Sequence, residues 1–154
     1  MFTVPKSLAA LLSVCSMVGP LSANTYMPGL TAIGQEFAVS EVATYQTLSG
    51  YLMTFALSSL FVGAVSDSIG RRAVMIGGML FYALSCAICA LSPSFEVFLG
   101  GRICMGIFAS AGTVLAMAIT RDLFEGQQAQ EMTSLIAIIF ALAPAFAPII
   151  GGCL

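Results

Sequence analysis

TYQTLSGYLMTFALSSLFVGAVSDSIGRRAVMIGGMLFYALSCAICALS, residues 44–92, consists of two long apolar runs separated by a short charged turn from Asp67 to Arg72. An α-helix needs roughly 20 apolar residues to cross a hydrocarbon core of about 30 Å, and both 44–66 and 73–92 reach that length. Neither run alternates polar with apolar side chains, so membrane β-strands are excluded. Outward from this pair the same pattern repeats, because charged residues are absent from 7–35, 103–120 and 132–154. The sequence therefore predicts an all-α membrane protein with about five transmembrane helices, near 7–33, 44–66, 73–92, 95–119 and 132–154.

Composition supports that reading. Of 154 residues, 59% are hydrophobic and 8% charged, against roughly 25% charged in soluble domains. A water-soluble globule is excluded, and so is disorder, which requires low hydrophobicity and high net charge; here the net charge is -2. Five Lys and Arg residues are too few and too scattered to neutralise a run of phosphates, so no nucleic-acid partner is expected. The bilayer is the partner the composition demands.

The cations also orient the chain. Lys6, Arg71, Arg72 and Arg121 fall on one side of the expected spans, while the opposite loops carry Glu36, Glu41 and Glu96 and no Lys or Arg. The positive-inside rule makes the first side cytoplasmic, together with the N-terminus. The first span has features of a signal peptide, but its apolar stretch is long and Leu21 suits a small-residue cleavage site poorly. A retained helix is the preferred reading.

Cys15, Cys86, Cys89, Cys104 and Cys153 all lie inside expected spans. The CxxC pair lacks further ligands in a chain without His, so helix packing is favoured over a metal, and no cofactor is expected. Gly101, Gly106, Ala109, Ser110, Gly112, Thr113 and Ala116 give the fourth span a small-residue flank that allows close helix approach. Arg102 stands about seven residues into that span, roughly 10 Å down, where insertion costs about 2.5 to 3.5 kcal/mol. Its charge either snorkels to the interface or faces a cavity, the second reading being preferred. Asn24, Tyr26 and Gln46 are polar side chains that can bind a ligand or hold helices together. A membrane enzyme lacks support, since there is no His, no nucleophile with a base and no buried carboxylate pair. A small membrane protein acting by association with other chains stays open as an alternative.

Several segments resemble one family. GAVSDSIGRR at 63–72 is similar to the cytoplasmic signature of the major facilitator superfamily, at the place that signature occupies after the second helix. SANTYMPGLTAI (22–33), GRICMGIFAS (101–110), APAFAPIIGG (143–152) and RDLF (121–124) resemble segments of its multidrug proton antiporters of the bicyclomycin-resistance (Bcr/CflA) type. The resemblance covers essentially the whole chain. It implies a fold of two six-helix halves that rock around a midplane site, of which residues 1–154 are a partial N-terminal domain, with the C-terminal half missing. It also implies export of small drug-like molecules against protons across a bacterial inner membrane.

By the same resemblance Arg102 lines the substrate or proton pathway; Asn24, Tyr26 and Gln46 are further candidates for it by their polar side chains. Gly63, Asp67, Gly70, Arg71 and Arg72 form a cytoplasmic gating motif, and Pro148, Gly151 and Gly152 belong to the antiporter motif. Two positions depart from the pattern. Asn24 replaces the usual first-helix acidic residue and cannot titrate, and Met105 stands where the wider family often has Gln. Any proton exchange is then expected to use a carboxylate beyond Leu154, and the chain is not expected to transport by itself. The partner of the 63–72 segment is expected in the missing half.

Overall fold

The computed structural model describes residues 6–124, 126, 129–134, 136–138 and 141. Among them there is no strand. Helix α1 runs Lys6–Tyr26, a 3₁₀ turn Met27–Gly29 leads into α2 (Leu30–Glu36), and α3 (Glu41–Ile69), α4 (Arg71–Ala90) and α5 (Phe95–Leu123) follow. Residues 129–134 and 136–138 are helical, whereas most of the expected fifth span, 132–154, lies outside the described residues. Three helices among the described residues, α3, α4 and α5, are long and apolar enough to cross a membrane.

The expected first span, 7–33, is not one continuous α-helix. Pro28 has no N–H to give to the carbonyl four residues back, and the chain tightens into the turn Met27–Gly29, with the Leu30 amide bonding to Met27 O. Pro20, also within the span, is accommodated differently. Its missing N–H frees the Ser16 carbonyl, and Thr113 Oγ1 on α5 donates to that oxygen at 3.3 Å. A neighbouring helix thus supplies the hydrogen bond that the proline removes.

Side-chain capping starts α3: Ser40 accepts from the Ala43 amide at 3.3 Å, and Glu41 places negative charge in the first turn. Gly70, with φ 106° and ψ 132°, ends α3 and also begins α4. No other residue separates the two helices. α4 ends at Ala90, and Pro93 bars its continuation before Ser94 opens α5.

The centre of the bundle is α5. Half of its apolar window is buried within the described chain, against 6% for α3 and 17% for α4, so α5 is the helix the others pack around. Its approach to α3 is close because Gly106 has no side chain; a Cβ there would collide with Thr54 Oγ1 and Tyr51 O. Two apolar layers fill the contacts. Leu12, Met75, Ala111, Leu115 and Ala116 join α1, α4 and α5, with Cys15 packed against them. Tyr51, Met105 and Ala109 form the other layer, with Cys86 and Cys89 at its edge. Leu52, Met53, Leu57, Leu60 and Phe61 on α3, and Leu80, Phe81, Leu84 and Ile88 on α4, face outward, as lipid-facing helices require.

Candidate functional site

Arg102 projects from α5 into the layer formed with α1 and α3. It is 3% exposed, covered by the surrounding helices. Its Cζ lies 3.9 Å from the centroid of the Tyr26 ring and 4.9 Å from that of Tyr51. A desolvated cation–π contact contributes about 2 kcal/mol, so two of them offset the insertion cost of about 2.5 to 3.5 kcal/mol. The ring faces leave the edge of the guanidinium unserved, and Nε and Nη2 are buried without a hydrogen-bond partner among the described residues.

Each tyrosine is tied to a second helix. The Tyr26 hydroxyl lies 2.6 Å from Thr47 Oγ1. Thr47 gives its own proton to Thr44 O at 2.6 Å, which leaves Tyr26 as the donor. Tyr51 Oη donates to Gly19 O at 2.8 Å, joining α3 to the stretch of α1 beside Pro20. One turn before Arg102, Phe98 stacks on Tyr26 with centroids 6.1 Å apart. One turn after it, Met105 meets Cys89 Sγ at 3.6 Å. Aromatic and sulfur-bearing side chains thus flank the arginine along α5.

Of the pathway residues expected from the sequence, the fold brings Arg102 and Tyr26 together. Asn24 turns to its own helix, Nδ2 donating to Pro20 O at 2.7 Å. Gln46 is exposed and makes no contact with the arginine; the adjacent Thr47 points inward in its place. Thr47 and Tyr51 were not singled out from the sequence, although Thr44, Thr47, Tyr51 and Thr54 recur at helical spacing and mark one polar stripe of α3.

At the other end of the bundle, Arg71 Nη2 lies 3.1 Å from Asp67 Oδ1, across the Gly70 turn. Arg71 Nε also pairs with Asp122 Oδ2 at the end of α5, a second link being Nη2 to Asp122 Oδ1 at 3.4 Å. The 63–72 segment therefore has one partner inside this chain, in the RDLF motif; the partner expected beyond Leu154 lies outside the described residues. Arg72 is exposed, and a side chain at Gly63 would meet nothing within 4 Å. Pro148, Gly151 and Gly152 lie outside the described residues. An apolar groove of about 760 Å³ opens between α1, α4 and α5 at this end, with Leu11, Met75 and Met79 in its wall and Arg71 and Asp122 among its lining residues.

The sequence matches the family model of the Major Facilitator Superfamily over residues 12–154. It is 36% identical over 96% of its length to the MFS-type transporter YdgK of Bacillus subtilis. To multidrug resistance protein D of Escherichia coli it is 30% identical over 96% of its length, and to a bicyclomycin resistance protein homolog of Haemophilus influenzae 34% over 92%. The chain spans 37%, 38% and 35% of these relatives respectively, little more than a third of each. With apolar spanning helices, a buried intramembrane arginine, a charged turn after α3 and a family match over most of its length, the chain belongs to the Major Facilitator Superfamily.

Proposed function

We propose that these helices serve an exporter of drug-like small molecules, as the N-terminal part of a bundle that is completed by helices corresponding to the rest of the relatives' length. The observation that carries the reading is Arg102, an ion placed inside the apolar layer and held by aromatic residues of two other helices. Intramembrane ionisable residues mark substrate or ion paths. Two of the relatives are named for resistance to multiple drugs and to bicyclomycin.

The coupling ion in this reading is the proton. Asn24 does not titrate, the described carboxylates Glu36, Glu41, Asp67, Glu96 and Asp122 lie at or near helix ends, and Glu131 is exposed, so the titrating group in this reading comes from helices outside this segment. The Arg71 end is cytoplasmic and the Glu41 end external in a bacterial inner membrane, following the distribution of Lys and Arg. Asp67, Arg71 and Asp122 stabilise one access state, Gly63 and Arg72 belong to the same gate, and Pro148 with Gly151 and Gly152 loosens the helix that follows.

The test is uptake into proteoliposomes under an imposed pH gradient, comparing residues 1–154 alone with residues 1–154 joined to the remaining length of the Haemophilus relative. The relative itself is the positive control. Saturable, gradient-dependent uptake by the joined protein and none by the short chain is expected. A joined protein that inserts normally yet moves no drug overturns the reading.

A further inference from the structure

Cation–π contacts satisfy the faces of a guanidinium and leave its N–H fork, which lies in the plane, free to bond. At Arg102 that fork is buried with Nε and Nη2 unpaired. Among the described residues no carboxylate bonds to it. Glu36, Glu41 and Glu96 are exposed at one end of the bundle, Asp67 is exposed at the other, Asp122 pairs with Arg71 and Glu131 is exposed. Position 24 carries an amide that is already bonded to Pro20 O. The apolar layer therefore holds one positive charge and at least two unused donors.

A bidentate oxyanion answers both deficits at once, while a second cation brought to the same layer meets repulsion that the surrounding low dielectric strengthens. The aromatic surroundings, Tyr26, Tyr51 and Phe98, suit an apolar or aromatic body attached to that anion. Tyr26 is the wall that can yield. It is only partly buried, it is the last residue of α1 before the 3₁₀ turn, and its hydroxyl is tied to α3 through Thr47.

Resting on the export reading above, we infer that the substrates admitted at Arg102 carry a carboxylate or an equivalent oxyanion on an aromatic or apolar body, and that lipophilic cations are disfavoured there.

The test uses three probes with one ring and different head groups: 2-naphthoate, 2-naphthamide and trimethyl(2-naphthyl)ammonium. Binding to the full 154-residue chain in zwitterionic nanodiscs at pH 7 is measured by equilibrium dialysis against empty nanodiscs. Naphthoate is expected to bind at least about tenfold more tightly than the ammonium compound, with the amide between them. Arg102→Gln should bring naphthoate to within about twofold of the amide. If Arg102→Gln fails to insert, Arg102→Lys decides, since it keeps the charge and loses the fork: a loss of about tenfold in naphthoate affinity with the order of the probes kept supports the inference, and an unchanged affinity overturns it.

The inference also fails if the ammonium compound binds as tightly as naphthoate, if the preference for naphthoate survives in Arg102→Gln, or if no probe binds the unsubstituted chain. Drug uptake by the joined protein without any head-group preference removes the anion site and leaves export standing. Head-group preference without uptake removes export and leaves the anion site.

Discussion

Arg102 and Arg71 are each held by two neighbours, and the neighbours are of opposite kinds. Arg71 lies between Asp67 and Asp122, which are 65% and 48% exposed; its partners neutralise it and water shares the work. Arg102 lies between two tyrosine rings in a layer that water does not reach, and its partners hold it without neutralising it. At an interface a carboxylate is a cheap counter-ion because it is already solvated. Inside the bilayer a second charge must be desolvated as well, and polarizable faces lower the cost of the first charge without adding another. The inner arginine is left with unused bonding capacity and the outer one is not.

The sharpest break of this comparison is steric. Gly106→Val forces a branched side chain into Thr54 and the Tyr51 carbonyl. It should cost about 3 kcal/mol or more by parting α3 from α5, seen as early thermal aggregation of the detergent-solubilised chain. Gly63→Val, placed where nothing lies within 4 Å, should leave the transition within about 2 °C, a stability change below about 0.5 kcal/mol. Equal behaviour of the two variants would mean that the Arg102 layer is no more tightly packed than the surroundings of Gly63.

Next in size are the ring faces. Tyr51→Leu and Tyr26→Leu should each lower stability by about 2 kcal/mol in reversible unfolding from bicelles. The double variant should lose less than the sum, because both rings act on one guanidinium. Strict additivity would argue that the tyrosines pack independently of Arg102.

A smaller effect is expected at Thr113→Val, which removes the donor to the carbonyl freed by Pro20. Interhelical hydrogen bonds in membranes average about 0.6 kcal/mol, and restoring the missing backbone partner by Pro20→Ala in the same chain should cancel the loss. Failure of the second change to compensate would detach Thr113 from the proline.

Smallest of all is the outer pair. Asp122→Asn should change stability by less than about 1 kcal/mol, and by nothing measurable in 1 M salt. In the switching role proposed above, Asp67→Ala or Asp122→Asn in the joined transporter should depress drug uptake more than membrane abundance. Unchanged uptake at equal abundance would reduce the Arg71 cluster to a topology signal.

Much of this difference is invisible along the chain. The apolar runs and the turn after residue 66 are legible because length, charge spacing and glycine each report on one segment at a time. Arg102 stands out for the same reason, as one charge in an uncharged run. What a single segment cannot show is which helix faces which. Gln46 and Thr47 are neighbours in sequence but about 100° apart around α3, and only the packing of the helices decides that the threonine points inward, to Tyr26, and the glutamine outward. Asp122 was visible as part of RDLF, yet its pairing with Arg71 depends on the ends of α3 and α5 coming to the same side. The interruption of the first span at Met27–Gly29 had a local cause, Pro28, but Pro20 in the same span is tolerated, and the distinction rests on Thr113 far along the chain.

The single residue between α3 and α4 has a consequence for length. From Glu41 to Ala90 the chain is helical on both sides of Gly70, and at 1.5 Å per residue those fifty positions would make a straight rod of about 75 Å. That is more than twice the thickness of a hydrocarbon core of about 30 Å. At φ 106° the backbone leaves the helical path where a β-carbon would resist it, so one missing methyl group sends the chain back across the membrane and sets on which side every later loop emerges.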